Sequence, residues 1–111
     1  MTQYLVELYS PNARWTEQSS DQRKAFVDGI KNGMAGLATL GIEALALGEI
    51  DRTVDHSGKH RFLGIWRFPN LAARDALLAG ILASGWYDYF DHINAASSGG
   101  NLEPHLTDLM S

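Results

Sequence analysis

Between Arg61 and Gly85 the apolar residues change period once. In RFLGIWRF, residues 61–68, they mark out alternating faces; in LAARDALLAGILAS, residues 71–84, Leu77, Leu78, Ile81 and Leu82 stand three and four apart behind Leu71. The first period is that of a strand and the second that of a helix. The switch falls at Pro69-Asn70, where Pro stops a ladder and Asn caps a helix. A strand that runs straight into an amphipathic helix must bury one face of each against the other, so the chain is committed to a layered α and β architecture.

The rest of the sequence repeats that grammar. QYLVELYS, residues 3–10, reads as a strand stopped by Pro11, with Tyr4, Val6 and Leu8 on one face and Leu5, Glu7 and Tyr9 on the other. After a loop over 11–18, Ser19 with Gln22 forms a capping box that starts a helix near Ser20. Phe26, Val27, Ile30, Met34, Leu37 and Ala38 make its apolar stripe, and Gly41 ends it. Gly29, Gly33 and Gly36 inside that helix predict a close backbone approach by a neighbouring element. IEALALGEID, residues 42–51, is a strand with Glu43, Leu45, Leu47 and Glu49 on one face, joined to 61–68 as a hairpin by a polar turn centred on Ser57-Gly58. Gly85 closes the second helix. Trp86–Ser97 is the last strand, its first half also compatible with a helical turn. The order β-α-β-β-α-β predicts a ferredoxin-like α+β fold: a four-stranded antiparallel sheet with two helices on one face. Residues 1–98 form the domain and 99–111, beyond Ser98-Gly99-Gly100, a C-terminal arm that is a short helix or irregular.

Composition removes several classes of function. The 111 residues carry a net charge of -4 and no basic stripe, so a nucleic-acid partner is not expected. With no cysteine, disulfides and thiolate chemistry are out. MTQYLVELYSP has no signal-peptide character, and no apolar run reaches the roughly 20 residues of a membrane helix. The expectation is a soluble, cytoplasmic protein with no membrane partner. No dinucleotide fingerprint, phosphate loop or nucleophile elbow is present.

FLGIWRFPN, running into the Ala-rich LAARDALLAGI with Arg74 and then into GWYDYF, resembles the second half of a dimeric α/β-barrel protein. That superfamily includes small monooxygenases of antibiotic biosynthesis, stress-responsive A/B-barrel proteins and polyketide cyclases, and the order of elements matches over nearly the whole chain. The resemblance implies a homodimer whose sheets stack face to face. An independent argument points the same way, because two helices cover only one face of a four-stranded sheet. The face expected to stay open carries Leu5, Tyr9, Leu45, Leu47, Phe62, Trp66, Phe68 and Phe90. That much wet apolar surface calls for a second copy.

Parity then predicts a site on that same face. Phe90, His92 and Asn94 point with Glu7, Tyr9, Glu43, Glu49 and Trp66, and the ferredoxin-like strand order sets His92 beside Glu7. A carboxylate against an imidazole in an apolar cavity is an acid–base unit. His92 and Glu7 are therefore the candidate catalytic pair, and Tyr9, Trp66, Phe90 and Asn94 the candidate ligand-binding residues. A structural role for each is the competing reading: a hydrogen-bonding His, a dimer salt bridge for Glu7, plain core for Trp66. The expected ligand is a small apolar, aromatic or polyketide-like molecule. The expected chemistry is cofactor-independent acid–base or oxygen chemistry, as in a monooxygenase, cyclase or isomerase; the alternative is a non-catalytic ligand-binding or stress-associated dimer.

No cofactor and no metal are expected. His56, His60 and Asp55 sit in a turn and offer at most a weak metal site. Among barrel relatives, haem-degrading proteins use an Asn on the first strand, a Trp on the third and a His on the second helix. Trp66 matches, but the first strand has no Asn and Leu71–Ser84 no His, which leaves haem with His92 as axial ligand a third reading. Cofactor-free monooxygenase relatives pair a strand-three Trp with an Asn, a pattern that Trp66 and Asn94 resemble.

Overall fold

The computed structural model describes all residues, 1–111. Its elements are β1 (Gln3–Pro11), α1 (Ala13–Thr16), α2 (Ser20–Gly36), β2 (Glu43–Glu49), β3 (Phe62–Phe68), α3 (Leu71–Ser84), α4 (Trp86–Tyr89), β4 (Phe90–Ser97) and α5 (Leu102–Asp108). The strands form one antiparallel sheet in the order β2-β3-β1-β4, with β3 and β1 central, as the ferredoxin-like topology requires. No helix is long and apolar enough to cross a membrane.

The helix ends follow the local chemistry. Ser19 accepts from the Gln22 amide while the Gln22 side chain accepts from the Ser19 amide, a complete capping box. Asn70 accepts from the Ala73 amide at 2.8 Å to start α3. Gly85 ends α3 at φ 82, a conformation that disfavours any side chain. The predicted loop over 11–18 contains one helical turn, α1, capped by Asn12 through the Trp15 amide. The first half of the last predicted strand is the helical turn α4.

The two faces of the sheet are assigned opposite to expectation. Leu5 and Phe68 are fully buried, and Trp66 and Phe90 nearly so. Leu5, Trp66 and Phe68 pack with Ala73 and Leu77 of α3, and Met34, Leu37 and Ile81 close around them. The helices therefore cover the face that carries Leu5, Glu7, Tyr9, Trp66 and His92, and the open face is that of Val6, Leu8, Leu63 and Ile65. Parity states which residues share a face, not which face the helices take, and here both are apolar. β2 also departs from simple alternation. A bulge between Ala44 and Ala46 shifts the register, so Glu43 lies opposite Arg67 while Leu47 lies opposite Gly64 on the helix side. Glu43 pairs with Arg67 at 2.6 Å and Glu49 with Arg61 at 3.4 Å, both exposed and both outside the predicted cluster.

The glycines of α2 are not where another element presses in. A Cβ built on Gly29, Gly33 or Gly36 meets nothing within 4 Å. Gly29 and Gly33, in the helix interior, each cost about 1 kcal/mol relative to Ala, and no packing contact offsets that.

Candidate functional site

Cross-strand register builds the site around Glu7. On β1, Glu7 stands opposite Gly64 of β3 and Asn94 of β4, while Tyr9 stands opposite Phe62 and His92. Trp66 and His92 are thus diagonal neighbours of Glu7 on its two flanking strands, a separation that long side chains span. Trp66 Nε1 donates to Glu7 Oε1. His92 Nε2 lies 3.3 Å from Glu7 Oε2, and the two side chains are 1% and 6% exposed. The pair expected from parity and strand order is in contact.

Gly64 makes this possible, a role that reading the strand as alternating faces missed. A Cβ there would stand 3.0 Å from Leu47 Cδ2, 3.1 Å from Glu7 Oε1 and 3.2 Å from Trp66 Nε1. A side chain there would crowd both the carboxylate and the indole where they meet between β1 and β3. The available signal was a Gly in a strand interior, which marks a close approach.

His92 is held from its other side by Trp86, also missed. Trp86 Nε1 donates to His92 Nδ1 at 3.0 Å. An indole N–H only donates, so Nδ1 accepts and the ring proton of the neutral imidazole stands on Nε2. There it faces Asn94 Oδ1 at 2.7 Å as well as Glu7. Phe90 stacks on Trp86 with centroids 4.0 Å apart, and Trp15 and Phe26 pack beyond it. Tyr9 stacks on His92 at 5.7 Å, nearly parallel.

Electrostatics follow from burial. Removal from water pushes the Glu7 carboxyl above its ordinary value, against the opposing pull of the Trp66 N–H and of His92. The Tyr9 phenol is also raised, first by burial and then by the Glu7 charge.

A cavity of about 220 Å³ lies between the sheet and the two long helices. Glu7, Tyr9, Trp66 and Trp86 form its sheet side, and Ile30, Met34, Leu77 and Ile81 its helix side. Of the predicted site residues, Glu7, Tyr9 and Trp66 line it; His92, Asn94 and Phe90 do not. Glu7 is its one carboxylate, and no Lys, Arg or His faces it. A carboxyl held above its ordinary value by burial, at the wall of a cavity, is a group that can exchange a proton with a bound molecule.

The turn histidines do not assemble. His56 pairs with Asp55 in solvent, whereas His60 Nδ1 lies 3.1 Å from Ser10 Oγ. No three potential metal ligands come together anywhere in the chain.

Several solved structures share the fold at low identity. A dimeric ferredoxin-like protein of unknown function from Thermobifida fusca YX is 14% identical with a TM-score of 0.53, over 87% of this chain and 90% of its own. A chlorite dismutase variant from Candidatus Nitrospira defluvii is 11% identical with a TM-score of 0.64, over 99% of this chain and 48% of its own. A haem-binding protein from Thermus thermophilus is 16% identical with a TM-score of 0.62, over 93% of this chain and 44% of its own. The chain thus spans about half the length of the latter two. At these identities the likeness shows the ferredoxin-like fold alone.

Haem does not fit the residues present. Both ring nitrogens of His92 are engaged within the protein, and the cavity is smaller than the roughly 300–1,000 Å³ of pockets for drug-sized ligands. None of the curated proteins matches the chain by sequence. A family model does, and it matches residues 2–111, so that sheet, helices, arm and the residues around Glu7 all fall within one family: the chain belongs to DUF6616, a family of unknown function.

Proposed function

We propose that the protein is a homodimer that binds a small, largely apolar molecule between sheet and helices and exchanges a proton with it through Glu7. The observation that carries this reading is a carboxylate 95% buried at the wall of an apolar cavity, held by one indole N–H and one imidazole. A buried charge is costly, and a core without a task is better served by an apolar side chain. The expected roles of the pair exchange: Glu7 meets the ligand, and His92 is a positioning residue that steadies the carboxylate. Trp66, Tyr9 and Trp86 shape the cavity, Phe90 backs Trp86, and Asn94 holds the His92 proton.

Dimerisation rests on surface. The single chain exposes 7658 Å², against roughly 6,100 Å² for a compact monomer of its mass. The open face supplies part of the apolar exposure through half-buried Val6, Leu8, Leu63 and Ile65 and through Ile93, 55% exposed, and the arm supplies more through Leu102, Leu106 and Leu109. A second copy stacked on the open face through a twofold axis covers the first part. The dimeric Thermobifida protein of the same fold supports a dimer.

Deuterium exchange tests the chemistry. 2-Tetralone is a two-ring ketone whose methylene beside the carbonyl loses a proton to a base. In D₂O the protein should accelerate incorporation of deuterium there, followed by NMR. Glu7→Gln should remove about a hundredfold or more of that acceleration, the usual share of a general base, and His92→Ala less. Exchange at the buffer rate with the wild-type protein, or unaffected by Glu7→Gln, rejects the proposal. Binding of 2-tetralone without exchange would instead favour a ligand-binding dimer with no catalytic step.

A further inference from the structure

The last part of the chain stands outside the body that the sheet and long helices form. From Ile93 to Ser111 every residue is exposed. α5 is seven residues long, Asn101 gives it no side-chain cap, and no other element packs closely against it. The Cα radius of gyration, 15.9 Å, accordingly exceeds the roughly 13 Å of a compact domain of this length. An isolated helix shorter than about 12–15 residues is marginal in water, so a helix like α5 is held by burying an apolar face. That face is present: Leu102, Leu106 and Leu109 recur four and three apart and are 71%, 48% and 67% exposed. Nothing in their own subunit covers them.

The arm also has a direction. Tyr4 alternates with buried Leu5, so it points to the open face with Val6. Gly99, at φ 82, lays the backbone against the Tyr4 ring, where a Cβ would stand 2.7 Å from Cε2. The chain therefore leaves β4 toward the side on which the second copy stacks, away from the helices. Register fixes the level at which it leaves: Ser97 stands opposite Tyr4, Tyr4 opposite Arg67, and Arg67 opposite Glu43 of β2. A twofold axis parallel to the strands keeps that level and brings the β4 edge of one copy over the β2 edge of the other. β2 is exposed along its whole length, with Leu45 two residues beyond Glu43 and 46% exposed. Stacked sheets lie about 10 Å apart, and residues 98–101 reach about 13 Å when extended.

We infer that α5 packs its leucine face on the β2 edge of a second copy, so that each subunit clasps the other with its arm. The assignment rests on the proposed dimer and extends its interface from the open face to the arm.

The chain has no cysteine, so an introduced disulfide reports the docking directly. Leu45→Cys combined with Leu106→Cys should oxidise to a covalent dimer on non-reducing gels. A dimer that forms as readily with Leu106→Cys alone means that the arms pair with each other, and a disulfide within one chain means that the arm folds back on its own subunit; either overturns the assignment. Hydrogen exchange followed by mass spectrometry reads the unmodified protein. Amides of residues 102–109 should be protected at concentrations where sedimentation shows a dimer, and should exchange at the unfolded rate where dilution gives the monomer. Removal of residues 99–111 should leave the fold intact by circular dichroism and weaken dimer association about tenfold or more, the effect of uncovering buried leucines. Free exchange of the arm at dimer concentrations, or association unchanged by the truncation, overturns the clasp while leaving the open-face dimer in place. A full-length chain that sediments as a monomer at every concentration removes the proposed dimer, and this inference with it.

Discussion

The two faces of one sheet are both apolar and differ in kind. The face under the helices holds Leu5, Trp66 and Phe68 almost without exposure, yet it admits Glu7, His92 and Tyr9 among them. The open face, along Val6, Leu8, Leu63, Ile65 and Ile93, is aliphatic through its centre and keeps its charges to the margin, where Arg67 meets Glu43. Burial alone accounts for the open face once a second copy covers it. It does not account for the covered one, because a carboxylate and an imidazole in a dry interior cost free energy that aliphatic side chains would not. Polar groups retained against that cost, around a cavity rather than in a filled core, are what the proposed site requires.

The sharpest way to break this contrast is to make the open face polar. Ile65→Asp puts a charge at the centre of the proposed interface, twice per dimer. Sedimentation equilibrium should show dimer association weakened by about a hundredfold or more, the effect of burying an unpaired charge. Proton exchange per folded subunit would be retained. Association equal to wild type would mean that the open face is not the interface. A second substitution probes the covered face. Gly64→Ala brings a methyl to 3.1 Å from Glu7 Oε1 and 3.2 Å from Trp66 Nε1. Chemical denaturation should register a loss of about 1–3 kcal/mol, typical of overpacking, together with loss of deuterium exchange. Unchanged stability would show that indole and carboxylate part easily and that their bond does not hold the site.

Much of this architecture was legible because it depends on local chemistry. Ser19, Asn70 and Gly85 announced helix ends, and the strand order followed from the sequence of periods. Once β1 and β4 were neighbours, parity was enough to bring Glu7 and His92 together. What escaped was phase. Leu45 at the β2 bulge adds one residue, so Glu43 and Leu47 fall on opposite faces although they are four apart. The α4 turn likewise separates Trp86 from the alternation of β4, so its bond to His92 is invisible to a period-two reading. The side taken by the helices was hidden because both faces are apolar. The α2 glycines were misread because a gap and a close approach require the same missing side chain.

The smallest expected effect is the one that asks why the covered face tolerates Glu7. Its carboxyl is raised above the ordinary 4.5 chiefly by burial. Between that ordinary value and the raised one, the folded chain keeps a proton at Glu7 that the unfolded chain has released. Stability from this group is therefore complete below the ordinary value and is lost as pH rises through the raised one. Glu7→Gln has no proton to release, while His92 and Tyr9, the titratable groups facing it, remain in both proteins. In thermal melts from about pH 4 to about pH 7, the melting temperature of Glu7→Gln minus that of wild type should grow by a few degrees as pH rises. A difference that shrinks instead would mean that the Trp66 hydrogen bond and His92 outweigh burial. Glu7 would then stabilise the fold as an ion, and the polarity of the covered face would be a matter of stability rather than of chemistry.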